Sequence, residues 1–298
     1  MNNARTPFSR VAVLAPYLWL VIFFLAPVLI VFKISLSQTV IAQPPYDPVW
    51  EWSIEGIKTF FAGLSFSSYA ALASDNLYVA SYLKSLQVAA VSTLILLLIG
   101  YPLAYGIARA PRRWRPALVM LIVLPVLTAF LIRIYAWVNI LQRDGLLNDA
   151  LSMLGVISNP VTWLASDTAI YIGIVYSYLP FMVLPLYATL EKLDDTLLEA
   201  AADLGATRLK AFWLITMPLS TPGIVAGALL CFIPIVGEFV IPDLLGGSDT
   251  LMIGQTLWTE FFSNRDWPVA SATAIVLLIL LVMPIVIYQQ QQTRLQER

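Results

Sequence analysis

Apolar and polar positions alternate along this chain in long blocks. Apolar runs occupy about residues 11–34, 83–107, 117–141, 168–190, 222–241 and 269–288, with polar segments between them. Each run holds close to the roughly 20 apolar residues a helix needs to cross a bilayer. The pattern predicts an all-α polytopic membrane protein of six transmembrane helices, a single transmembrane domain over residues 1–298. The first run follows Arg5 and Arg10 as a signal peptide would, but no small-residue cleavage pattern comes directly after it, so it is read as a retained span. Residues 35–78 form a polar outer loop with a helical entry into the second run; Trp50 and Trp52 there read as interfacial anchors rather than ligand contacts. Arg109, Arg112, Arg113 and Arg115 crowd the short loop after the second run. By the positive-inside rule they mark the cytoplasmic side, in preference to an anionic-ligand site, and six spans then put both termini in the cytoplasm.

The longest charge-bearing interruption between apolar runs on that side is residues 191–218. Asp194 and Asp195 precede Leu197-Leu198-Glu199-Ala200-Ala201-Ala202, so acids sit at the positive end of a predicted helix. Gly205 stops it, Thr207 caps a second short helix from Arg208 to about Trp213, and Pro218 and Pro222 bracket the turn into the fifth run. The product is a bent helical hairpin outside the bilayer. Leu197, Ala201 and Leu204 share one face, and the alanine run leaves a shallow surface that a partner can approach closely.

Composition removes most enzymology. Hydrophobic residues make up 59% and charged residues only 12% of the 298, about half the charged share of a soluble domain. Histidine is absent and Cys231 is the only cysteine. Disulfides within the chain, Cys/His zinc sites and Ser-His or Cys-His catalysis are therefore excluded. No phosphate-binding glycine loop is present, so any ATP hydrolysis belongs to another chain. No catalytic residue, resident metal or cofactor is expected, and the net charge of −1 gives no reason to invoke nucleic acid. Membrane lipid is the expected surround. With the predicted topology, Lys and Arg concentrate inside while acids lean outward, leaving a negative outer face that concentrates cations.

Within the runs, Gly223 and Gly227 form a small-x-x-x-small face suited to close helix contact. Pro180, Pro185 and Pro234 make the fourth and fifth runs the predicted moving walls. Glu238, near the outer end of the fifth, is the informative residue, because an ionisable group in a span is a functional-site hypothesis by default. It is placed shallow enough for water to reach. Arg133 lies in the outer half of the third run beside Tyr135 and Trp137. Two readings of Glu238 stand level: a pair with Arg133, or a cation site with Tyr135, Trp137 and, at the mouth, Asp243.

Glu199-Ala200-Ala201 followed by Gly205, Ile215 and Pro218 resembles the EAA signature of bacterial ABC importer permeases. The segments at 131–141 and 233–272 resemble the polyamine branch of that family, most of all its putrescine and spermidine permeases. The resemblance runs from the third span onward and implies a type I ABC importer permease fold in the bacterial inner membrane. It implies that Glu199, Ala200, Ala201, Gly205 and Pro218 serve a coupling hairpin that fits a cleft on a separate ATPase, which binds ATP and Mg. It also implies a second homologous permease, two ATPase copies, a periplasmic substrate-binding protein and import by alternating access. A permease of this class for another small solute is the first alternative; an ion-gradient-driven transporter accounts for the spans but not for the hairpin, and an intramembrane enzyme lacks a catalytic pair.

Overall fold

The computed structural model describes residues 7–49, 62–247 and 250–296. Trp50, Trp52, Arg5 and Arg298 lie outside them. The chain gathers into two compact units, Met1–Val79 with Thr256–Arg298, and Ala80–Gln255.

In the first unit, α1 (Pro7–Leu20) runs through a π turn (Val21–Leu25) into α2 (Ala26–Ser35). The candidate span inside this stretch, Leu14–Ser35, buries none of its apolar window within the chain, as suits a helix whose solvent is lipid. A two-stranded antiparallel hairpin follows, β1 (Gln38–Thr39) on β2 (Tyr46–Asp47), then α3 (Ser67–Ser74). The last helix, α15 (Trp267–Gln296), packs against α2 and α3. Asp266 caps it by accepting from the Val269 amide at 3.1 Å, and the same carboxylate oxygen accepts from Thr39 Oγ1 at 2.6 Å, which ties the β-hairpin to the start of the helix.

The second unit begins within α4 (Asn76–Arg109). It continues through α5 (Arg115–Val123), a 3-10 turn (Leu124–Leu127), α6 (Phe130–Leu141) and α7 (Leu146–Met153) to α8 (Asp167–Leu190). Next come α9 (Asp195–Asp203), α10 (Arg208–Ala211), a π turn (Phe212–Thr216) and α11 (Met217–Leu219). The unit closes with α12 (Thr221–Val236), α13 (Val240–Leu245) and the start of α14 (Ile253–Trp258). Its centre is the packing of α8 on α12. A side chain at Gly223 would meet Thr189 Oγ1 at 2.6 Å and the Pro185 carbonyl at 2.9 Å, and one at Gly227 would meet Met182 Sδ at 2.9 Å. The two glycines thus let the helices approach to backbone contact.

Among the described residues, three helices are long and apolar enough to cross a membrane, Leu14–Ser35, Asn76–Arg109 and Asp167–Leu190, or up to five if each of two bent pairs is one span. In-span prolines mark some of the breaks but not all of them. Helix α8 carries Pro180 and Pro185 without interruption. The third run instead folds by 88° between Leu127 and Phe130, because Pro125 sets a 3-10 turn and Thr128 and Ala129 then take extended backbone. The fifth run ends early, at Val236. Gly237, Glu238 and Phe239 break it before α13. The expected outer loop at 242–267 is largely helical, with α14 and a further π turn (Thr259–Ser263) inside it.

The segment after α6 is organised by Asn148, which is buried. Its amide nitrogen donates to the carbonyls of Arg143 (2.9 Å) and Val161 (2.8 Å), and its oxygen accepts from the Val161 amide (3.1 Å) and Trp163 Nε1 (2.9 Å). Asn148→Ala strands these groups, and each buried orphan costs about 1–3 kcal/mol. The detergent-solubilised protein should melt several degrees lower; an unchanged midpoint would show that water replaces the side chain.

Candidate functional site

The hairpin forms as its residues dictate. Asp194 Oδ1 accepts from the Thr196 amide at 3.0 Å and caps α9. At the other end Gly205 has φ +77°. Its amide donates to the Ala202 carbonyl at 2.9 Å, and the Ala206 amide donates to the Ala201 carbonyl at 2.9 Å. These two bonds make a Schellman motif, in which the residue after the C-cap must be left-handed. Nothing lies within 4 Å of where a Gly205 side chain would begin, so the demand there is for backbone conformation alone. Thr207 Oγ1 accepts from the Lys210 amide at 3.3 Å and caps α10. The second arm is longer than expected: it passes Trp213 and continues to Leu219, because a π turn absorbs Phe212–Thr216 without ending the helix.

Arg109 at the end of α4 forms an ion pair with Asp195, and Arg115 meets Glu191 at 3.5 Å. Both pairs are partly exposed, so they orient more than they stabilise. Tyr101 and Tyr105 set their rings edge-on to Phe212, at 5.7 and 6.0 Å between centroids. The Tyr101 hydroxyl and Ser220 Oγ lie 2.9 Å apart where the second arm bends by 61° into α12. A cleft of about 450 Å³ opens between α4 and the hairpin, with Glu199, Arg208, Arg109 and Tyr105 on its walls. Glu199, Ala200 and Pro218 are exposed, while Ala201 is buried. Leu204, 88% exposed, and Leu209, 69% exposed, give the hairpin an apolar tip.

Glu238 lies in the break between α12 and α13. It is only 8% exposed, not water-facing as its expected depth suggested. Oε2 accepts from the Tyr178 hydroxyl at 2.7 Å, and Oε1 accepts from the amides of Val240 (3.1 Å) and Ile241 (3.4 Å). The α12–α13 break supplies those two amides. Arg133 does not pair with it: the ion pairs among the described residues are Lys84–Asp167, Arg109–Asp195 and Arg115–Glu191. Tyr135 is 54% exposed, whereas Trp137 packs edge-on to Tyr176 at 5.3 Å. Asp243 is exposed on α13. The aromatic residue brought to the carboxylate is therefore Tyr178, which the sequence reading did not single out. Tyr178 also lines a cavity of about 370 Å³ with Phe130, Arg133, Ser177 and Phe181.

A family model described as the binding-protein-dependent transport system inner membrane component matches residues 2–295. The chain is 45% identical over 214 residues, 72% of its length and 78% of the relative's, to the spermidine/putrescine transport system permease protein PotB of Escherichia coli K12. It is 37% identical over 288 residues, 97% of its length and 95% of the relative's, to PotB of Haemophilus influenzae. Among solved structures, the bacterial alginate ABC transporter in complex with alginate pentasaccharide-bound periplasmic protein has a similar fold. There the TM-score is 0.74 at 17% identity, covering 96% of this chain and 94% of that one.

Proposed function

This chain belongs to the family of binding-protein-dependent transport system inner membrane components, and from that premise we propose that it carries a polyamine, putrescine or spermidine, inward across the membrane by alternating access. As an ABC permease of the inner membrane it is a transport subunit without catalysis of its own. The observation that carries the substrate reading is the 37% identity to a spermidine/putrescine permease over 97% of this chain.

In this reading the hairpin of α9 and α10 docks on a separate ATPase that binds ATP and Mg, with Leu204 and Leu209 entering its cleft and Glu199 accepting a hydrogen bond at the rim. Gly205 sets the angle between the arms, and Ala200, Ala201 and Pro218 complete the coupling surface. A second homologous permease, two ATPase copies and a periplasmic binding protein complete the transporter. Glu238 and Asp243 offer carboxylates to the ammonium groups of the substrate, and Tyr135 and Trp137 offer aromatic faces, each cation–π contact contributing about 0.5–2 kcal/mol.

The test is ATP hydrolysis by the complete transporter in proteoliposomes with its binding protein, compared across putrescine, spermidine, a neutral sugar and molybdate. Polyamines should stimulate hydrolysis several-fold and the others should not. Stimulation by the sugar or molybdate, with none by polyamines, would replace the substrate assignment while keeping the ABC permease.

A further inference from the structure

The cavity between α6, α8 and α12 contains donors with nothing to donate to. Arg133 Nε and Nη1 and Ser177 Oγ are buried atoms without a hydrogen-bond partner among the described residues, and Ser177 is only 5% exposed. The guanidinium carbon lies over the Phe130 ring, 5.7 Å from its centre. Glu238, the acid of the neighbouring break, is already held by Tyr178 and the two amides of α13. Exposed apolar residues rim the cavity, Phe181 and Leu230 among them. A cation in such a wall is expensive unless an acceptor covers it, and an arginine beside a hydroxyl presents donors that match a carboxylate.

We infer that Arg133 and Ser177 receive a carboxylate from a membrane-embedded Asp or Glu of the second permease subunit, so that this cavity is a charged contact of the subunit interface. This rests on the two-permease assembly proposed above. Charge complementarity selects the occupant: no acid of the described residues pairs with Arg133, and the apolar rim suits a transmembrane helix laid against it rather than open water.

The complete transporter is purified through a tag on this chain, without substrate, and the second permease retained is measured. Arg133→Gln should lower its retention at least fivefold and Ser177→Ala by less, while Arg133→Lys keeps most of it. Because Arg133→Gln could also weaken the fold, charge exchange supplies the second arm. Arg133→Glu should lose the partner and regain it when one transmembrane acid of the second permease is changed to arginine, each such acid being tried in turn. Wild-type retention in Arg133→Gln overturns the inference, and so does failure of every exchange. Retention that follows phosphatidylglycerol content in nanodiscs, whatever the partner's acids, also overturns it by assigning the cavity to a lipid phosphate. Assembly is read without substrate, so a failure of polyamines to stimulate ATP hydrolysis bears on the substrate alone.

Discussion

Gly205→Val should lower ATP-driven uptake at least tenfold and release much of the ATPase from the purified complex, while the binding protein still docks. The reason is local. Gly205 holds φ +77° with empty space where a side chain would begin, so valine meets no neighbour but must adopt a left-handed backbone that costs a β-branched residue about 1–3 kcal/mol. The chain escapes by abandoning the Schellman bonds from Gly205 to Ala202 and from Ala206 to Ala201, and the tip at Leu204 then loses its aim. One factor of ten corresponds to about 1.4 kcal/mol, within the expected strain. Gly205→Asn separates backbone strain from mere bulk, because asparagine tolerates the left-handed region. It should keep most of the uptake. Full transport by the valine variant in a normally assembled complex would end the coupling role assigned to this turn.

Glu238→Gln should lower polyamine uptake by ten- to a hundredfold with assembly and basal ATP hydrolysis retained. Glutamine keeps the shape: its carbonyl oxygen can still accept from the Val240 and Ile241 amides while its amide nitrogen donates to the Tyr178 hydroxyl, so the break between α12 and α13 survives. What is lost is the charge, and a hydrogen bond to a charged group contributes about 1.5–3 kcal/mol. The geometry also alters a control. With no Arg133–Glu238 pair to relieve, adding Arg133→Gln should not rescue Glu238→Gln; restored transport in the double variant would mean that the two do meet during the cycle. Unchanged uptake in the single variant would reduce Glu238 to an anchor for Tyr178 and α13.

The hairpin was legible in the sequence because its causes are local. A cap, an alanine run and a glycine at fixed spacing act within a dozen residues, and Asp194, Gly205 and Thr207 each do what their chemistry requires. The surroundings of Glu238 were not legible for the converse reason. Its hydroxyl partner lies 60 residues away on another helix, and the two amides beside it become available only because Gly237 ends α12, a stop that apolar patterning cannot register. Pro180 and Pro185 misled in the same way. A proline frees a carbonyl, but neighbours decide whether the helix bends: α8 stays whole against α12, whereas the third run turns where Thr128 and Ala129 extend. A pair of Arg133 with Glu238 stands level with a cation site in the sequence because both residues fall in the outer half of their spans, and the fold directs the acid to Tyr178 instead.

The 61° bend at Ser220 makes the hairpin's second arm and α12 the two limbs of a crank whose fulcrum is the Tyr101–Ser220 contact. The 16 residues of α12 form a limb of about 24 Å, so pivoting by about 5° at the fulcrum sweeps the far end through about 2 Å. That travel rivals the full length of the 2.7 Å Tyr178–Glu238 bond. In the coupling proposed above, a pivot at the hairpin too small to alter the fold would be large enough, at the opposite end of the same limb, to open or close the carboxylate.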